Sequence, residues 1–385
     1  MKVLMLAPGN SPHARRPLGW LLARGVKVCF LDEADPLPDG APGYHFVPLP
    51  RSGLGVLRGL VGSHSALSLA KWRAWPLHRI WRVARPDVTH VHWVDPRAQH
   101  CAAAGMHPLV LTVWGSDIDD QLAPTADPAM RAAIGEALAA ADLVLIDAAD
   151  MADKCTQLAG CPVPTRLLTL GVDTTRFAPG YATEAAALRA SLDIPADARV
   201  VLSPRAMGHI YRHREVLDAF AHARVPGAVL LFLRYNPSSF AECRTLEEDL
   251  RARAAELGVT DALRFSDRLP VAELPVLYAA ADVVVNFPAH DAFPVTFLEA
   301  LACARPVISC RLPSYAGTVA ERYVRMVDDP DALAVTLAET LAAPPADLTA
   351  ARAEVCRTHD ETLVADTLVA LYRELAGRKP FEVIA

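Results

Sequence analysis

The sequence predicts an α/β protein built from two doubly wound domains, and three observations lead to this prediction. A length of 385 residues exceeds what one hydrophobic core usually contains and suits two domains. Short apolar runs alternate with segments of helical period, which specifies parallel sheets covered on both faces. This alternation begins again after residue 180, so each half of the chain is expected to form its own sheet.

The predicted elements follow from the apolar pattern. In the first half the predicted strands are Lys2–Ala7, Val26–Leu31, Val88–Val91, Leu109–Val113, Leu143–Ile146 and Arg166–Thr169, and the predicted helices are Pro12–Arg24, Asp127–Ala140 and Ala149–Leu158. In the second half the predicted strands are Val200–Ser203, Val229–Leu233, Leu263–Phe265, Val283–Asn286 and Val307–Ser309, and the predicted helices are Glu215–Ala223, Ala241–Leu257, Val271–Ala280, Val295–Ala302 and Asp331–Ala342.

The segment Gly171–Tyr181 carries two glycines and a proline and is predicted to be a hinge between the halves. We therefore expect an N-terminal domain at residues 1–175 and a second domain at residues 176–360. Residues 361–385 are expected to form a C-terminal helix and tail that pack back toward the N-terminal domain.

Composition limits the function and the compartment. A net charge of −6 argues against a general nucleic-acid binder. The eight cysteines are scattered, without a C-x-x-C pair, which favours a reduced cytoplasmic compartment over a disulfide framework. The apolar run after Met1 is stopped by Pro8 and Gly9, so it is predicted to be a strand and not a signal peptide. No apolar stretch reaches the ~18–20 residues of a membrane span.

The most informative loop joins the predicted strand Val283–Asn286 to the predicted helix Val295–Ala302. Pro294 suits the first turn of a helix, where the free N–H groups and the positive end of the helix dipole favour a diphosphate. Asp291 and Glu299 add two carboxylates, which accept hydrogen bonds from the vicinal hydroxyls of ribose or hexose. The predicted donor-binding residues of this loop are Phe293, Pro294, Val295, Thr296 and Glu299.

This stretch resembles the acidic signature of the family-4 glycosyltransferases, an E-x₇-E pattern followed by A-M-A-C-G-x-P-V-I. Here Asp291 and Glu299 give D-x₇-E, and residues 300–308 read A-L-A-C-A-R-P-V-I. The resemblance implies that Glu299 holds the ribose hydroxyls and Asp291 the transferred sugar. Two positions depart from the pattern, since Asp291 is one methylene shorter than Glu and Ala304 replaces the usual Gly.

A second element, Ser203-Pro204-Arg205, resembles the family's S-x-R … K element, in which Arg and Lys clamp the diphosphate. A guanidinium makes bidentate contacts to phosphate and keeps its charge, as stabilisation of a leaving group requires. The Lys is absent, and Arg212 or Arg214 is the candidate for its place. The alternative is that Arg205 only forms a salt bridge with a surface carboxylate.

The first half is expected to bind the acceptor, through residues that resemble three family elements. His13 lies in S-x-H-x-R-R, where it either lines the acceptor site or serves as a polar group at a helix start. His90 and His92 lie in P-D-x-x-H-x-H and share one face of a strand, so a metal site is the alternative interpretation, although two ligands make a weak one.

The third element, T-V-W-G-S-D-I, resembles the family's H-G-T-D-I loop, with Trp114 where many members carry His. Trp can stack on a sugar through its apolar face but cannot transfer a proton. Asp117 is then the ionisable group of the loop. The predicted acceptor-binding residues are His13, His92, Trp114 and Asp117, and the predicted catalytic residues are Arg205, Asp291 and Asp117.

Residues 171–179 match the family's G-V-D-x-x-x-F-x-P segment, and the resemblance spans roughly residues 1–320. It implies the GT-B fold, two Rossmann-like domains facing a central cleft. It also implies transfer, with retention and without a metal or other cofactor, from a nucleoside diphosphate sugar to a glycan or lipid-linked acceptor of bacterial surface polysaccharide synthesis. The alternatives are a sugar-nucleotide epimerase on the same fold and a non-catalytic binder of sugar nucleotides or glycans.

Residues 51–86 contain seven Lys or Arg and three Trp without any Asp or Glu. A basic segment with interfacial aromatics is typical of contact with a membrane surface, here the inner face. The alternative is a solvated helix pair that packs its Trp side chains inward.

Overall fold

The computed structural model describes residues 1–9, 11–32, 37, 41–48, 77–235, 240–267 and 269–377. The chain divides into two compact units. Unit 1 contains residues 1–170 together with the chain from Thr362 onward, and unit 2 contains residues 171–361.

Unit 1 is built on a parallel sheet of seven described strands in the order β3-β2-β1-β4-β5-β6-β7. The strands are β1 Lys2–Leu6, β2 Lys27–Asp32, β3 Tyr44–Pro48, β4 Val88–His92, β5 Leu109–Thr112, β6 Leu143–Ile146 and β7 Thr165–Leu167. The helices are α1 Pro12–Ala23, α2 at residues 77–84, α3 Pro96–Ala103, α4 Ser116–Leu122, α5 Pro128–Ala140 and α6 Met151–Ala159, to which the last helix of the chain, Glu361–Gly377, is added.

Strand β1 is covered on both faces, which explains why its sequence is apolar from Val3 to Leu6. Leu4 and Leu6 face one hydrophobic core, whereas Val3 and Met5 face a second core on the other side of the sheet. Because successive side chains of a strand point to opposite faces, a strand covered on both sides needs apolar residues at every position.

The last helix of the chain, Glu361–Gly377, covers one face of this sheet. Leu368 and Tyr372 are buried in the core that also contains Val3 and Met5. Arg24, at the end of α1, donates a hydrogen bond to Asp366 over 2.6 Å. The C-terminal helix is thus an integral layer of unit 1.

Unit 2 is built on a parallel sheet of six described strands in the order β10-β9-β8-β11-β12-β13. The strands are β8 Arg199–Ser203, β9 Ala228–Arg234, β10 Leu263–Asp267, β11 Val283–Asn286, β12 Val307–Cys310 and β13 Val324–Val327. The helices are α7 Ala182–Ser191, α8 His213–Ala223, α9 Phe240–Glu256, α10 Leu274–Ala279, α11 Val295–Ala302, α12 Val319–Tyr323, α13 Pro330–Ala342 and α14 Thr349–Thr358, so that the last helix of the chain is α15.

The two segments by which the chain enters and leaves unit 2 lie side by side. The Val172 N–H donates to the carbonyl of His359 over 2.9 Å, and the Glu361 N–H donates to the carbonyl of Val172 over 2.9 Å. Arg352 of α14 donates to the carbonyls of Phe177 and Thr174 at 2.9 and 3.2 Å. These hydrogen bonds attach both the entering and the leaving segment to unit 2.

The predicted fold class, two doubly wound α/β domains, is confirmed. The strand Val283–Asn286 and the helix Val295–Ala302 have the predicted bounds, whereas the edge strands β3 and β13 were not predicted. None of the described helices combines the length and the hydropathy that a membrane-spanning helix needs.

The basic, Trp-rich stretch at residues 51–86 lies mostly outside the described residues, because the structure describes only residues 77–86 of it. In this part Leu77 is buried and Trp81 packs against the core of unit 1. The inward packing of Trp81 agrees with the alternative of a packed helix, and membrane contact stays a prediction.

We predict that Leu368→Ala destabilises unit 1 by about 2–5 kcal/mol, because it leaves a cavity beneath the sheet. Urea unfolding followed by circular dichroism measures this change. Leu363→Ala is the matched control on the same helix, since Leu363 is 46% exposed and should change stability by less than about 0.5 kcal/mol. Equal effects of the two substitutions would contradict the packing of α15 described here.

Candidate functional site

The loops that follow β8 and β11 bring two predicted site residues together. These strands are neighbours in the sheet of unit 2, so their carboxyl ends lie side by side. Arg205 follows β8 and Asp291 follows β11, and their side chains form an ion pair with 3.0 Å between Nη2 and the carboxylate oxygen. The side chains are only 13% and 16% exposed. Arg205 therefore forms a salt bridge, but its partner is a largely buried, predicted site residue and not the surface carboxylate of the alternative interpretation.

The environment of this pair affects both charges. Burial raises the pKa of the Asp291 carboxyl above its usual range, although Arg205 acts in the opposite direction. Burial disfavours the charge of Arg205, but Asp291 and Tyr211 oppose this effect and the net pKa of Arg205 is raised. The guanidinium also lies over the ring of Tyr211, 4.3 Å from its centroid. The positive charge of Arg205 is thus held in place at the carboxyl edge of the sheet.

Helix α11 begins directly after this loop with an uncapped N-terminus. Pro294 precedes the helix, and no side chain caps the first turn. Val295 and Thr296 are half-buried, so their N–H groups are partly accessible to a ligand. Phe293 was predicted to bind the donor, but its side chain is only 5% exposed and packs in the core against Phe297. Only the backbone of Phe293 is available for a donor contact.

Glu299 lies one turn into α11 and is 8% exposed. Its carboxylate accepts a hydrogen bond from the Tyr278 hydroxyl over 2.7 Å. Burial and the neighbouring carboxylate raise the pKa of Tyr278, so the phenol stays protonated and remains a donor. The only sequence feature that points to this partner is the position of Tyr278 on the helix before β11.

The two candidates for the missing Lys differ in position. Arg212 has a left-handed backbone (φ 48°, ψ 44°) at the start of α8, and its guanidinium lies 6.0 Å from the centroid of Phe287, just beyond β11. Arg214 is exposed one residue into the helix. Of the two, Arg212 is the one next to the acidic loop.

A polar network that sequence reasoning missed supports the acidic loop. Asn286, the last residue of β11, donates to the Tyr315 hydroxyl over 3.1 Å and accepts through its carbonyl from Ser309 over 2.7 Å. Ser314 donates to the carbonyl of Asp291 over 2.7 Å. These bonds fix the position of Asp291 from the side of β12.

In unit 1, three of the predicted acceptor residues form one aromatic cluster. The indole of Trp114 lies 4.6 Å from the ring of His13 and 6.0 Å from that of His92, with the His92 ring nearly parallel to it. These residues come from α1, β4 and the loop after β5, which meet at the carboxyl edge of the sheet.

Asp117, the fourth predicted acceptor residue, joins the loops that carry this cluster. One carboxylate oxygen accepts from the Val94 N–H and the other from the Trp114 N–H, each over 2.9 Å. The residue is 4% exposed, and burial raises the pKa of its carboxyl to about 7 although the backbone hydrogen bonds lower it. The geometry makes Asp117 a positioning residue for Trp114, and its catalytic assignment stays a prediction.

His90 and His92 lie against each other with 3.9 Å between ring centroids. Both ring nitrogens of His90 face hydroxyls, Nδ1 that of Tyr372 and Nε2 that of Thr112 at 2.6 Å. His92 has no hydrogen-bond partner among the described residues, and burial lowers its pKa to about 3. Within the described part of the chain, no third residue joins them as a metal ligand.

Two protein-family models match the chain. The model described as "Glycosyl transferase 4-like" matches residues 2–148, and the model described as "Glycosyl transferases group 1" matches residues 184–352. The first match falls within unit 1 and the second within unit 2.

Curated relatives and solved structures agree with these models. D-inositol 3-phosphate glycosyltransferase of Actinosynnema mirum is 32% identical over 326 residues, which are 79% of this chain and 76% of that protein. Its namesake from Corynebacterium urealyticum is 32% identical over 221 residues, 54% of this chain and 51% of that protein. The chain spans about half the length of the curated relatives that match it first.

Among solved structures, Anabaena Alr3699/HepE in complex with UDP and glucose superposes with a TM-score of 0.74 and covers 97% of this chain and 100% of that one. The sequence identity is 18%, so this likeness concerns the fold alone.

We predict that the carboxyl of Asp117 makes the stability of unit 1 depend on pH. Its pKa is about 7 in the folded protein, against roughly 3.9 for an unfolded Asp. The unfolded chain releases this proton at lower pH, so stability is lost as the pH rises from about 4 to about 7, by roughly 1–4 kcal/mol.

Asp117→Asn should remove this slope, although it also loses one acceptor for a backbone N–H at every pH. Denaturant unfolding of the wild-type protein and of D117N at four pH values between 4.5 and 7.5 measures the difference. Asp153→Asn, at an exposed position of α6, is the control. Parallel pH curves for the wild-type protein and D117N would refute the prediction.

Proposed function

This chain is a family-4 glycosyltransferase with the GT-B fold, and from this premise we propose that it transfers a hexosyl-type sugar from a nucleoside diphosphate to a hydroxyl group of a glycan or lipid-linked acceptor, with retention of the anomeric configuration. A role in the synthesis of a bacterial surface polysaccharide or glycoconjugate is part of this proposal.

The observation that carries the proposal is the meeting of Arg205 and Asp291 directly before the uncapped N-terminus of α11. Ligands of doubly wound sheets bind beyond the carboxyl ends of the strands, and both residues lie there. Together they provide a buried cation, a helix terminus and a carboxylate within one loop system. This combination suits a diphosphate that is attached to a sugar.

We propose that the ion pair opens when the donor binds. The guanidinium of Arg205 then faces the diphosphate together with the N–H groups of Val295 and Thr296, and the Asp291 carboxylate is released to accept hydrogen bonds from sugar hydroxyls. As the bond to the anomeric carbon breaks, negative charge grows on the departing phosphate, and donors already in place stabilise it most. Glu299, oriented by Tyr278, is assigned to the ribose hydroxyls.

Unit 1 is proposed to bind the acceptor through the cluster of His13, His92 and Trp114. The indole of Trp114 offers an apolar face for a sugar ring. Burial lowers the pKa of His92 to about 3, so its imidazole is a weak base, and Trp114 cannot accept a proton. We therefore assign the acceptor proton to an oxygen of the leaving phosphate in a same-face attack. A covalent sugar trapped on Asp291 would favour double displacement instead.

The relatives suggest which substrates to test first. The Anabaena neighbour is named as a complex with UDP and glucose, so UDP-sugars are the first donors to test. The curated relatives are named for inositol 3-phosphate, so a phosphorylated polyol belongs in the acceptor panel beside glycans and lipid-linked sugars. Transfer without added metal is part of the proposal, and activity that persists in EDTA supports it.

We predict that Arg205→Gln lowers kcat at least about 100-fold, because it removes charge stabilisation of the leaving diphosphate. The measurement follows nucleotide release and glycoside formation with UDP-, GDP- and TDP-sugars, while circular dichroism checks folding. Arg244→Gln is the matched control, since Arg244 is 69% exposed on α9 and its nearest carboxylate oxygen is 3.9 Å away.

The outcomes separate the alternatives. Glycoside formed in proportion to released nucleotide, lost in R205Q and kept in R244Q, supports the transferase. An isomerised donor without such release would point to an epimerase, and binding without turnover would point to a non-catalytic sugar-nucleotide binder. Full activity of R205Q would overturn the role given to Arg205.

A further inference from the structure

We propose that unit 2 carries a second anion site, a pocket for a phosphoryl group lined by Arg199, Arg305 and Arg325, at the edge of its sheet opposite to the Arg205–Asp291 pair. Arg199 is the first residue of β8, and Arg305 lies two residues before β12. Arg205, by contrast, follows the end of β8. The two sites therefore lie at opposite ends of the same strands.

The pocket has a volume of about 200 Å³. Its floor is formed by the starts of β8, β11 and β12 and by Arg325 of β13, which are four adjacent strands. Its wall is formed by the end of α13 and by residues 343–346. A space of this size suits a small ligand, since pockets for drug-sized molecules start at about 300 Å³.

Cations outnumber anions in and around this pocket. Asp282 already accepts from Arg189 and Arg199, both at 3.1 Å, and from the Val200 N–H at 2.8 Å. Arg325 is paired with Glu339 over 2.7 Å. The carboxylates of Asp282 and Glu339 thus pair with three arginines, and neither is left to pair with a fourth.

Arg305 is this fourth arginine. Among the described residues it has no carboxylate within ion-pair distance, and its buried Nε atom has no hydrogen-bond partner. Burial lowers the pKa of Arg305, with the like charge of Arg189 acting in the same direction and Asp282 opposing it. Burying a guanidinium nitrogen without a hydrogen-bond partner is costly. An anion bound beside it would supply the missing acceptor.

A phosphoryl group fits this requirement best among common anions. It offers several acceptor oxygens around one centre, and guanidinium groups match such oxygens with paired, directional hydrogen bonds. The source is either inorganic phosphate or the phosphate group of a small metabolite, and the same arginines would recognise both. Because β8 and β11 run from this pocket to Arg205 and the acidic loop, occupancy of the pocket should stabilise the strands that carry the donor-site loops.

The test measures binding of inorganic phosphate to the full chain by calorimetry and by thermal unfolding, at constant ionic strength maintained with sodium chloride. We expect saturable binding to the wild-type protein and a loss of affinity of at least about 10-fold in Arg305→Gln. Arg325→Gln should weaken binding as well, and its side chain is 49% exposed, so folding is not at risk. Arg244→Gln is the control and should bind like the wild-type protein.

Phosphate could also bind at the Arg205 site, and Arg205→Gln separates the two. Phosphate binding that survives in R205Q and is lost in R305Q supports the proposal, whatever the transferase assay shows. Loss of phosphate binding in R205Q but not in R305Q, or the absence of saturable phosphate binding, overturns the proposal. A panel of sugar phosphates then identifies the source, because tighter binding than that of inorganic phosphate points to a metabolite and equal binding points to the free ion.

Discussion

The parallel pairing of β8 with β11 is the constraint on which the chemistry of unit 2 depends. Parallel neighbours end at the same edge of a sheet, so the loops after Ser203 and after Asn286 must meet although 83 residues separate these two positions. Arg205 and Asp291 are thereby brought within 3.0 Å of each other. The bonds from Ser314 and Tyr315 to this region come from beyond β12, the next strand in the sheet.

Guanidinium groups lie at both ends of the strands in the unit 2 sheet, but their electrostatic surroundings differ. Arg205 has a carboxylate partner in the same loop system, so its charge is balanced until a ligand competes for it. Arg305 shares its surroundings with three arginines and two carboxylates that are already engaged. The first arrangement suits exchange of a partner during a reaction, and the second suits retention of an anion.

Much of the fold could be predicted because its strands are buried on both faces. The run Val283–Asn286 is apolar at every position but the last, and Pro294 marks the following helix, so both elements were predicted with their bounds. Two of the described edge strands, β3 and β13, were missed for the opposite reason, whereas the edge strands β7 and β10 were predicted. Tyr44–Pro48 mixes half-exposed and exposed positions, and Val324–Val327 places an exposed Arg325 within the strand, so neither shows the apolar pattern of a buried strand.

The residues of the candidate site could be predicted from the sequence, but the residues that they contact could not. The family elements that contain His13, His92 and Trp114 indicated one region, and the structure brings these side chains together. The bond from the Val94 N–H to Asp117, the bond from the Tyr278 hydroxyl to Glu299 and the burial of Phe293 depend on contacts between distant segments. Sequence patterns describe one segment at a time, so they could not reveal these contacts.

The bonds that join Val172 to His359 and Glu361 bring the two ends of unit 2 next to each other. A domain whose ends are adjacent can be inserted into a surface loop of another protein without distorting the structure of that protein. In the sequence, unit 2 is such an insertion, because it interrupts unit 1 between Leu170 and Thr362. Unit 2 could therefore be exchanged as one domain between these two points, while the C-terminal helix stays with unit 1.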